Sequence, residues 1–142
     1  MKEFKFKYRT SLASEGQAYN DVKKVLEGVK IERKKMFQIL LAVSEAFTNA
    51  MVHGNQFNPG KQVFINMTVN STTITADIID EGVGFVPGGD SGQFDDLQAE
   101  SGRGMGLMKK AAERFEMKKS PVTGGTVISM TFAIAPVPAN LK

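Results

Sequence analysis

The fold of this chain can be inferred outward from Phe37-Gln-Ile-Leu-Leu-Ala-Val-Ser-Glu-Ala-Phe-Thr-Asn-Ala-Met-Val-His53. Its apolar residues recur at helical spacing and predict one broad apolar face: Ile39, Leu40, Val43, Ala46, Phe47, Ala50 and Met51. Glu45 and Asn49 lie one turn apart on the remaining stripe, about 40° apart in rotation. A helix this apolar is buried, so its carboxylate and amide need partners or a cavity. Taken alone, the pair is also typical of an ordinary solvent-facing surface.

Composition limits the class of protein. The chain has 142 residues, 18 Lys and Arg against 15 Asp and Glu, a net charge of +3 and no cysteine. We expect one domain over residues 1–135 and a flexible tail at 136–142. The lack of cysteine excludes disulfides and thiolate metal sites. No signal peptide, membrane-length apolar run or basic patch is found, so we expect a cytoplasmic protein that binds neither membrane nor nucleic acid directly.

Periodicity and turn residues predict the order of the elements. Strands are expected at 3–9, 62–69, 72–80, 116–119 and 125–134. One helix should begin at a capping box formed by Ser14 and Gln17 and run to about residue 29. The central helix should span 33–54, and a third should run from near Gly104 to Phe115. This order predicts an α/β (α+β) two-layer sandwich, in which helices cover one face of a mixed, mostly antiparallel sheet.

Asp80-Glu-Gly-Val-Gly84 closes a predicted strand with an aspartate and two glycines at alternate positions. Glycine lets the backbone turn sharply and approach a flat ligand. A strand-end aspartate in an apolar pocket can accept a hydrogen bond from an exocyclic amine, as in recognition of adenine. A polar hairpin turn explains the same residues if they are considered alone.

Ser101-Gly-Arg-Gly-Met-Gly-Leu107 opens a predicted helix with alternating glycines. Backbone amides at a helix N-terminus attract anions, and glycines let phosphates come close. The run is no dinucleotide fingerprint, because no strand directly precedes it, and it lacks the Gly-Lys-Ser/Thr of a Walker loop. The preceding segment, residues 86–101, is rich in glycines and acids and is expected to form a mobile lid.

Together, and in this order, the three motifs resemble those of the GHKL (Bergerat-type) ATP-binding fold. Within that superfamily the chain is most similar to the stand-alone serine/threonine kinases that act as anti-sigma factors. The resemblance is carried by Ser-Glu-Ala-Phe-Thr-Asn-Ala-Met-Val-His-Gly at 44–54 and by Gly-Arg-Gly-Met-Gly-Leu-Met-Lys-Lys at 102–110. It extends over nearly the whole chain, to Ile134.

The resemblance implies a role for each matching residue. Asn49 would offer an amide oxygen to Mg²⁺, and Glu45 would act as general base toward an incoming hydroxyl. Asp80 would read the adenine amine of ATP. The remaining nucleotide-binding residues would shape the adenine pocket, support Asp80 from a neighbouring strand or wrap the phosphates. They are Gly82, Gly84, Gly102, Arg103, Gly104, Met105, Gly106, Leu107 and Thr126. His53 is interpreted as a structural histidine or as one that supports a site residue, in preference to a catalytic one.

The function implied is a Mg-ATP-dependent protein kinase that phosphorylates a small anti-anti-sigma-like protein and alternately holds a sigma factor. The alternative is a non-catalytic module that binds its partner under the control of ATP. A histidine kinase is disfavoured, because the one histidine, His53, lies in the expected site and no helical domain precedes it. Homodimerisation through a sheet edge is plausible by analogy.

Overall fold

The computed structural model describes residues 1–83, 106 and 108–134, which contain one five-stranded antiparallel sheet. Its strands are β1 (Lys2–Arg9), β2 (Gln62–Val69), β3 (Thr73–Ile79), β4 (Arg114–Lys119) and β5 (Thr126–Ala133). They lie in the order β1-β2-β3-β5-β4, and each neighbouring pair is antiparallel. Helices cover one face, so the predicted α+β sandwich is confirmed.

Two helices precede β2. Helix α1 spans Leu12–Glu27, and α2 spans Arg33–Asn49 and continues directly into a π-helical turn, Ala50–Gly54. The N–H of Asn55 donates to the carbonyl of Ala50 at 2.8 Å, which closes this wider turn. The central helix therefore has the predicted extent, but its last turn is wider than an α-helical one.

The core lies between the sheet and the two helices. A row of consecutive cross-strand partners runs across the sheet: Phe6, Ile65, Ile78, Ile128 and Met117. The helices bury Ala18, Val22, Val25, Leu26, Ile39, Leu40, Val43, Ala46 and Phe47 against this face. The rings of Tyr8 and Phe47 meet edge to face at 5.4 Å. Burying each large apolar side chain contributes roughly 1.5–3 kcal/mol, so the sheet and helices stabilise each other.

Two local predictions were wrong. Helix α1 begins at Leu12 after Ser11, and the hydroxyl of Ser14 donates to the carbonyl of Arg9 and forms no capping box. Phe115 lies in β4, opposite Met130, although helical periodicity placed it in a helix. Its pairing with β5 places it against the core, and this long-range contact overrides the local pattern.

Residues 106 and 108–111 are helical and precede β4, in agreement with the predicted third helix. The expected tail at 136–142 and the expected lid at 86–101 lie outside the described residues. Among the residues that are described, no helix is long and apolar enough to cross a membrane.

Candidate nucleotide-binding site

The site is built around the carboxylate of Asp80, which directly follows β3 and is only 4% exposed. Its Oδ1 accepts hydrogen bonds from the N–H groups of Gly82 and Thr126, both at 2.9 Å. The backbone of Asp80 is held as well. Its N–H donates to the carbonyl of Thr126 at 3.0 Å, and its carbonyl accepts from the hydroxyl of Thr123 at 2.6 Å. The structure thus brings together the predicted Asp80, Gly82 and Thr126.

Glycines bring backbone into direct contact with this carboxylate. A Cβ added at Gly54 would overlap Oδ2 of Asp80, and one at Gly125 would overlap its Oδ1 and carbonyl oxygen. A Cβ added at Gly82 would overlap the carbonyl of Gly54. Two other chain segments, at Gly54 and Gly125, therefore enclose Asp80, and the residue two positions after it, Gly82, packs on Gly54. None of the three glycine positions has room for a larger residue.

The electrostatics of Asp80 follow from this enclosure. Burial raises the pKa of the Asp80 carboxyl, while the N–H groups of Thr126 and Gly82 and the charge of Lys61 act in the opposite direction. Both hydrogen bonds that the described residues donate to the carboxylate end on Oδ1. Oδ2 is thus the oxygen that the described residues leave for a ligand donor.

Glu45 and Asn49 lie one turn apart near the end of α2, as predicted. Asn49 is 5% exposed and Glu45 is partly buried. The same helical element continues through the π-helical turn to Gly54, which packs on Asp80. One continuous element therefore carries the predicted base, the predicted metal ligand and one wall of the Asp80 enclosure. His53 is partly buried in that turn.

The sequence motifs missed four residues that build the site: Gly54, Asn55, Thr123 and Gly125. Asn55 is buried and accepts from the N–H of Glu81 at 2.8 Å, next to Asp80. Gly54 ended the predicted helix and the motif at 44–54 but was assigned no role in the site, and neither Asn55 nor Thr123 was assigned one. Glycines flanking motif residues were the available signal, because a required glycine marks close backbone approach.

Comparison with known proteins identifies the family. A sequence profile of the histidine kinase-like ATPase domain matches residues 9–132. The chain belongs to this ATPase domain family.

Curated relatives of this ATPase domain are anti-sigma F factors. That of Shouchella clausii is 30% identical over 99 residues, covering 66% of this chain and 67% of the relative. That of Halalkalibacterium halodurans is 31% identical over 98 residues, 66% of each chain. The crystal structure of the RsbU and RsbW domains of a Mycobacterium tuberculosis protein superposes with a TM-score of 0.68. It covers 96% of this chain and 34% of that one at 14% identity, which shows a shared fold. The resemblance inferred from the motifs is confirmed.

Part of the predicted nucleotide site of the ATPase domain lies outside the described residues: Gly84, Gly102, Arg103, Gly104, Met105 and Leu107. Gly106 is described, lies in the helical segment before β4 and is exposed. A Cβ added there would meet nothing within 4 Å. Met108, two residues on, is fully buried and anchors this segment in the core of the domain.

The fit of Mg²⁺ to this ATPase domain depends on Asn49. Within residues 1–83, 106 and 108–134, no group of three or more acidic or histidine side chains could hold a metal ion. Mg²⁺ with a nucleotide needs no such group, because it takes one or two protein oxygens together with phosphate oxygens and water. The amide oxygen of Asn49 is a hard ligand of the required kind, so the residues present fit the ion.

Proposed function

We propose that this ATPase domain is a cytoplasmic, Mg-ATP-dependent serine/threonine kinase of the anti-sigma type. Its substrate is a small anti-anti-sigma-like protein, and it alternately holds a sigma factor. The observation that carries the proposal is the continuous helical element from Glu45 and Asn49 to Gly54, which packs against Asp80. This contact supports the proposal, because the proposed general base and metal ligand lie on one helical element that packs against the proposed adenine acceptor.

Adenine recognition is assigned to Oδ2 of Asp80. Its Oδ1 is held by two backbone N–H groups, so the orientation of the carboxylate is fixed before a ligand arrives. The 6-amino group of adenine donates hydrogen bonds, whereas guanine carries a carbonyl at that position. A carboxylate held in this way favours adenine over guanine, because a buried acceptor facing another acceptor stays unpaired.

Asn49 would hold the magnesium ion through its amide oxygen, and the ion bound with ATP would neutralise phosphate charge during transfer. Glu45 lies one turn earlier and remains partly accessible, as a group that meets a protein substrate must be. Glu45 takes the proton of a serine or threonine hydroxyl as that oxygen bonds to the γ-phosphorus. The bond from the γ-phosphorus to the oxygen retained by ADP breaks in the same displacement.

The proposed partners, an anti-anti-sigma-like protein and a sigma factor, are supported by relatives that are named anti-sigma F factors. The aligned stretch covers about two thirds of each relative, so the partners are proposed from the aligned region alone. Self-association stays a prediction, and sedimentation of the purified chain tests it.

The deciding experiment incubates the full chain with γ-labelled ATP, Mg²⁺ and each small anti-anti-sigma-like protein encoded in the same genome. Transfer of label to a serine or threonine of one of them is expected, and omission of Mg²⁺ should abolish it. Binding of a partner that depends on ATP but is never followed by transfer would overturn the kinase assignment. It would identify a non-catalytic, ATP-gated binding module.

A further inference from the structure

Asn55 is buried directly after the π-helical turn and is 1% exposed. Its Nδ2 donates to the hydroxyl oxygen of Thr10 at 2.9 Å and to the carbonyl of Gln62 at 3.0 Å. Its Oδ1 accepts from the N–H of Glu81 at 2.8 Å. One side chain thus joins the residue after β1, the first residue of β2 and the residue after Asp80.

The segment next to Asp80 depends on these bonds for its position. The N–H that Asn55 holds belongs to the peptide that links Asp80 to Glu81. The side chain of Glu81 is fixed in turn, because its carboxylate accepts from the N–H of Gln62 at 2.5 Å. On the opposite side, Thr123 and Thr126 bind the backbone of Asp80. The orientation of the Asp80 carboxylate is therefore set from both sides of the chain.

The hydrogen bonds at position 55 require the side chain of asparagine. The amide of asparagine supplies two donors and an acceptor within the reach of one short side chain, and all three are used here. Aspartate keeps the acceptor but loses the donors, and alanine loses both. Substitution can thus separate the role of Asn55 as an acceptor from its role as a donor.

We propose that Asn55 is a positioning residue for adenine recognition, which holds the Asp80–Glu81 peptide so that Oδ2 of Asp80 meets the 6-amino group. This inference rests on the proposed binding of ATP at Asp80. It assigns to Asn55 no contact with the nucleotide.

The test compares ATP with purine riboside triphosphate, which lacks the 6-amino group. The two dissociation constants are measured by calorimetry with Mg²⁺. Because the two ligands differ only in the 6-amino group, the ratio of these constants reports the hydrogen bond to Asp80, and contacts common to both ligands cancel. Wild type should prefer ATP by roughly 10- to 150-fold, the contribution of a hydrogen bond to a charged group. In Asn55→Ala the ratio should fall to about threefold or less, since the Asp80–Glu81 peptide loses its acceptor.

Asn55→Asp is the conservative variant. It retains the acceptor for the Glu81 N–H, so it should keep the ratio within about threefold of wild type while its melting temperature falls through loss of both donors. Tyr8→Phe is the matched control for a lost buried hydrogen bond. It removes the bond from Tyr8 to Asp21 at 2.8 Å and should lower stability without changing the ratio.

Three outcomes would overturn the proposal. A folded Asn55→Ala with the wild-type ratio removes Asn55 from recognition and leaves the proposed function intact. If Asn55→Ala does not fold, the near-isosteric Asn55→Leu takes its place and should lower the ratio at least about threefold, because it fills the volume of the asparagine but leaves the Glu81 N–H without its acceptor. An unchanged ratio there has the same meaning. A wild type that binds neither nucleotide, or binds both equally, overturns the assignment of Asp80 itself.

Discussion

Asp80 and Thr126 are joined by two reciprocal hydrogen bonds. The N–H of Asp80 donates to the carbonyl of Thr126 at 3.0 Å, and the N–H of Thr126 donates to Oδ1 of Asp80 at 2.9 Å. The first bond extends the pairing of β3 with β5 by one residue, and the second fixes the carboxylate to the same strand. The carboxylate cannot turn away without breaking a bond to β5, so it is preorganised for a ligand.

Nucleotide selectivity tests this preorganisation. We expect the purified chain to bind ATP and ADP more tightly than GTP and GDP, by roughly 5- to 150-fold, because guanine leaves a buried acceptor unpaired. Asp80→Asn should weaken ATP binding, since an amide can turn its donor toward the 6-amino group. Calorimetry measures both effects, and equal affinity of wild type for ATP and GTP would contradict the assignment of Asp80.

The buried carboxylate of Asp80 should lower the stability of the fold when it is ionised. Burial raises the pKa of Asp80, so the folded chain binds its proton more strongly than the unfolded chain does. Its contribution to the free energy of unfolding therefore decreases as pH rises from the ordinary pKa through the raised one. Without nucleotide at pH 7, Asp80→Asn should melt at a higher temperature than wild type. The difference should shrink as the pH is lowered, and a lower melting temperature of the variant at pH 7 would disprove the argument.

Gly54→Ala tests the enclosure of Asp80. The added Cβ would overlap Oδ2 of Asp80, so we expect a loss of roughly 1–3 kcal/mol in the free energy of unfolding, as for other overpacked sites. ATP binding should also be lost. Gly16→Ala is the control, because that position is exposed in α1 with nothing within 4 Å of the added atom. It should stabilise the chain by roughly 0.5–1 kcal/mol through helix propensity. Denaturant unfolding that ranks the two variants in the opposite order would exclude the enclosure.

Glu45→Gln tests the proposed base. The substitution keeps the shape and removes only the charge, so ATP affinity should stay near that of wild type. The rate of phosphate transfer should fall by about 10²–10⁴-fold, the usual contribution of a positioned base. Glu32→Gln, at the exposed start of α2, should leave the rate unchanged. Single-turnover transfer measures the step, and a wild-type rate in Glu45→Gln would remove Glu45 from the mechanism.

Asn49→Ala tests the proposed metal ligand. Loss of the amide oxygen should weaken ATP binding in the presence of Mg²⁺ and slow transfer, because the ion loses a protein ligand. Binding of ATP with the metal chelated should change far less. Measuring ATP affinity as a function of Mg²⁺ concentration distinguishes the loss of a metal ligand from a general loss of nucleotide binding. Identical magnesium dependence in wild type and variant would contradict the role of Asn49.

The sequence predicted those features that depend on local periodicity. Helix α2 and the alternation of β2 and β3 follow from residues within a few positions of one another, and the observed elements agree closely. The position of Asp80 at the end of β3 was also predicted from its local pattern, a strand end followed by glycine. Phe115 shows the limit, because its helical spacing was overridden by pairing with a strand that comes later in the chain.

The support of the site could not be predicted in this way. Asn55 contacts Thr10 across 45 positions, and Thr123 contacts Asp80 across 43. No short pattern encodes such contacts, since they exist only after the sheet has assembled. The wider turn at Ala50–Gly54 could not be predicted either, because its sequence is compatible with an ordinary α-helix.

The order of the strands has a consequence for the behaviour of the protein at high concentration. β1 and β4 form the two margins of the described sheet, where unpaired backbone could accept a strand from another molecule. Both margins carry exposed charges at every second position: Lys5, Lys7 and Arg9 on β1, and Arg114, Glu116 and Lys118 on β4. Glu3 lies on the same face of β1, so two copies meeting through β1 would bring together strands that each carry three positive charges and one negative charge there. Growth of fibres by strand addition is therefore discouraged at that margin, and high salt, which screens these charges, is the condition under which it would first be seen.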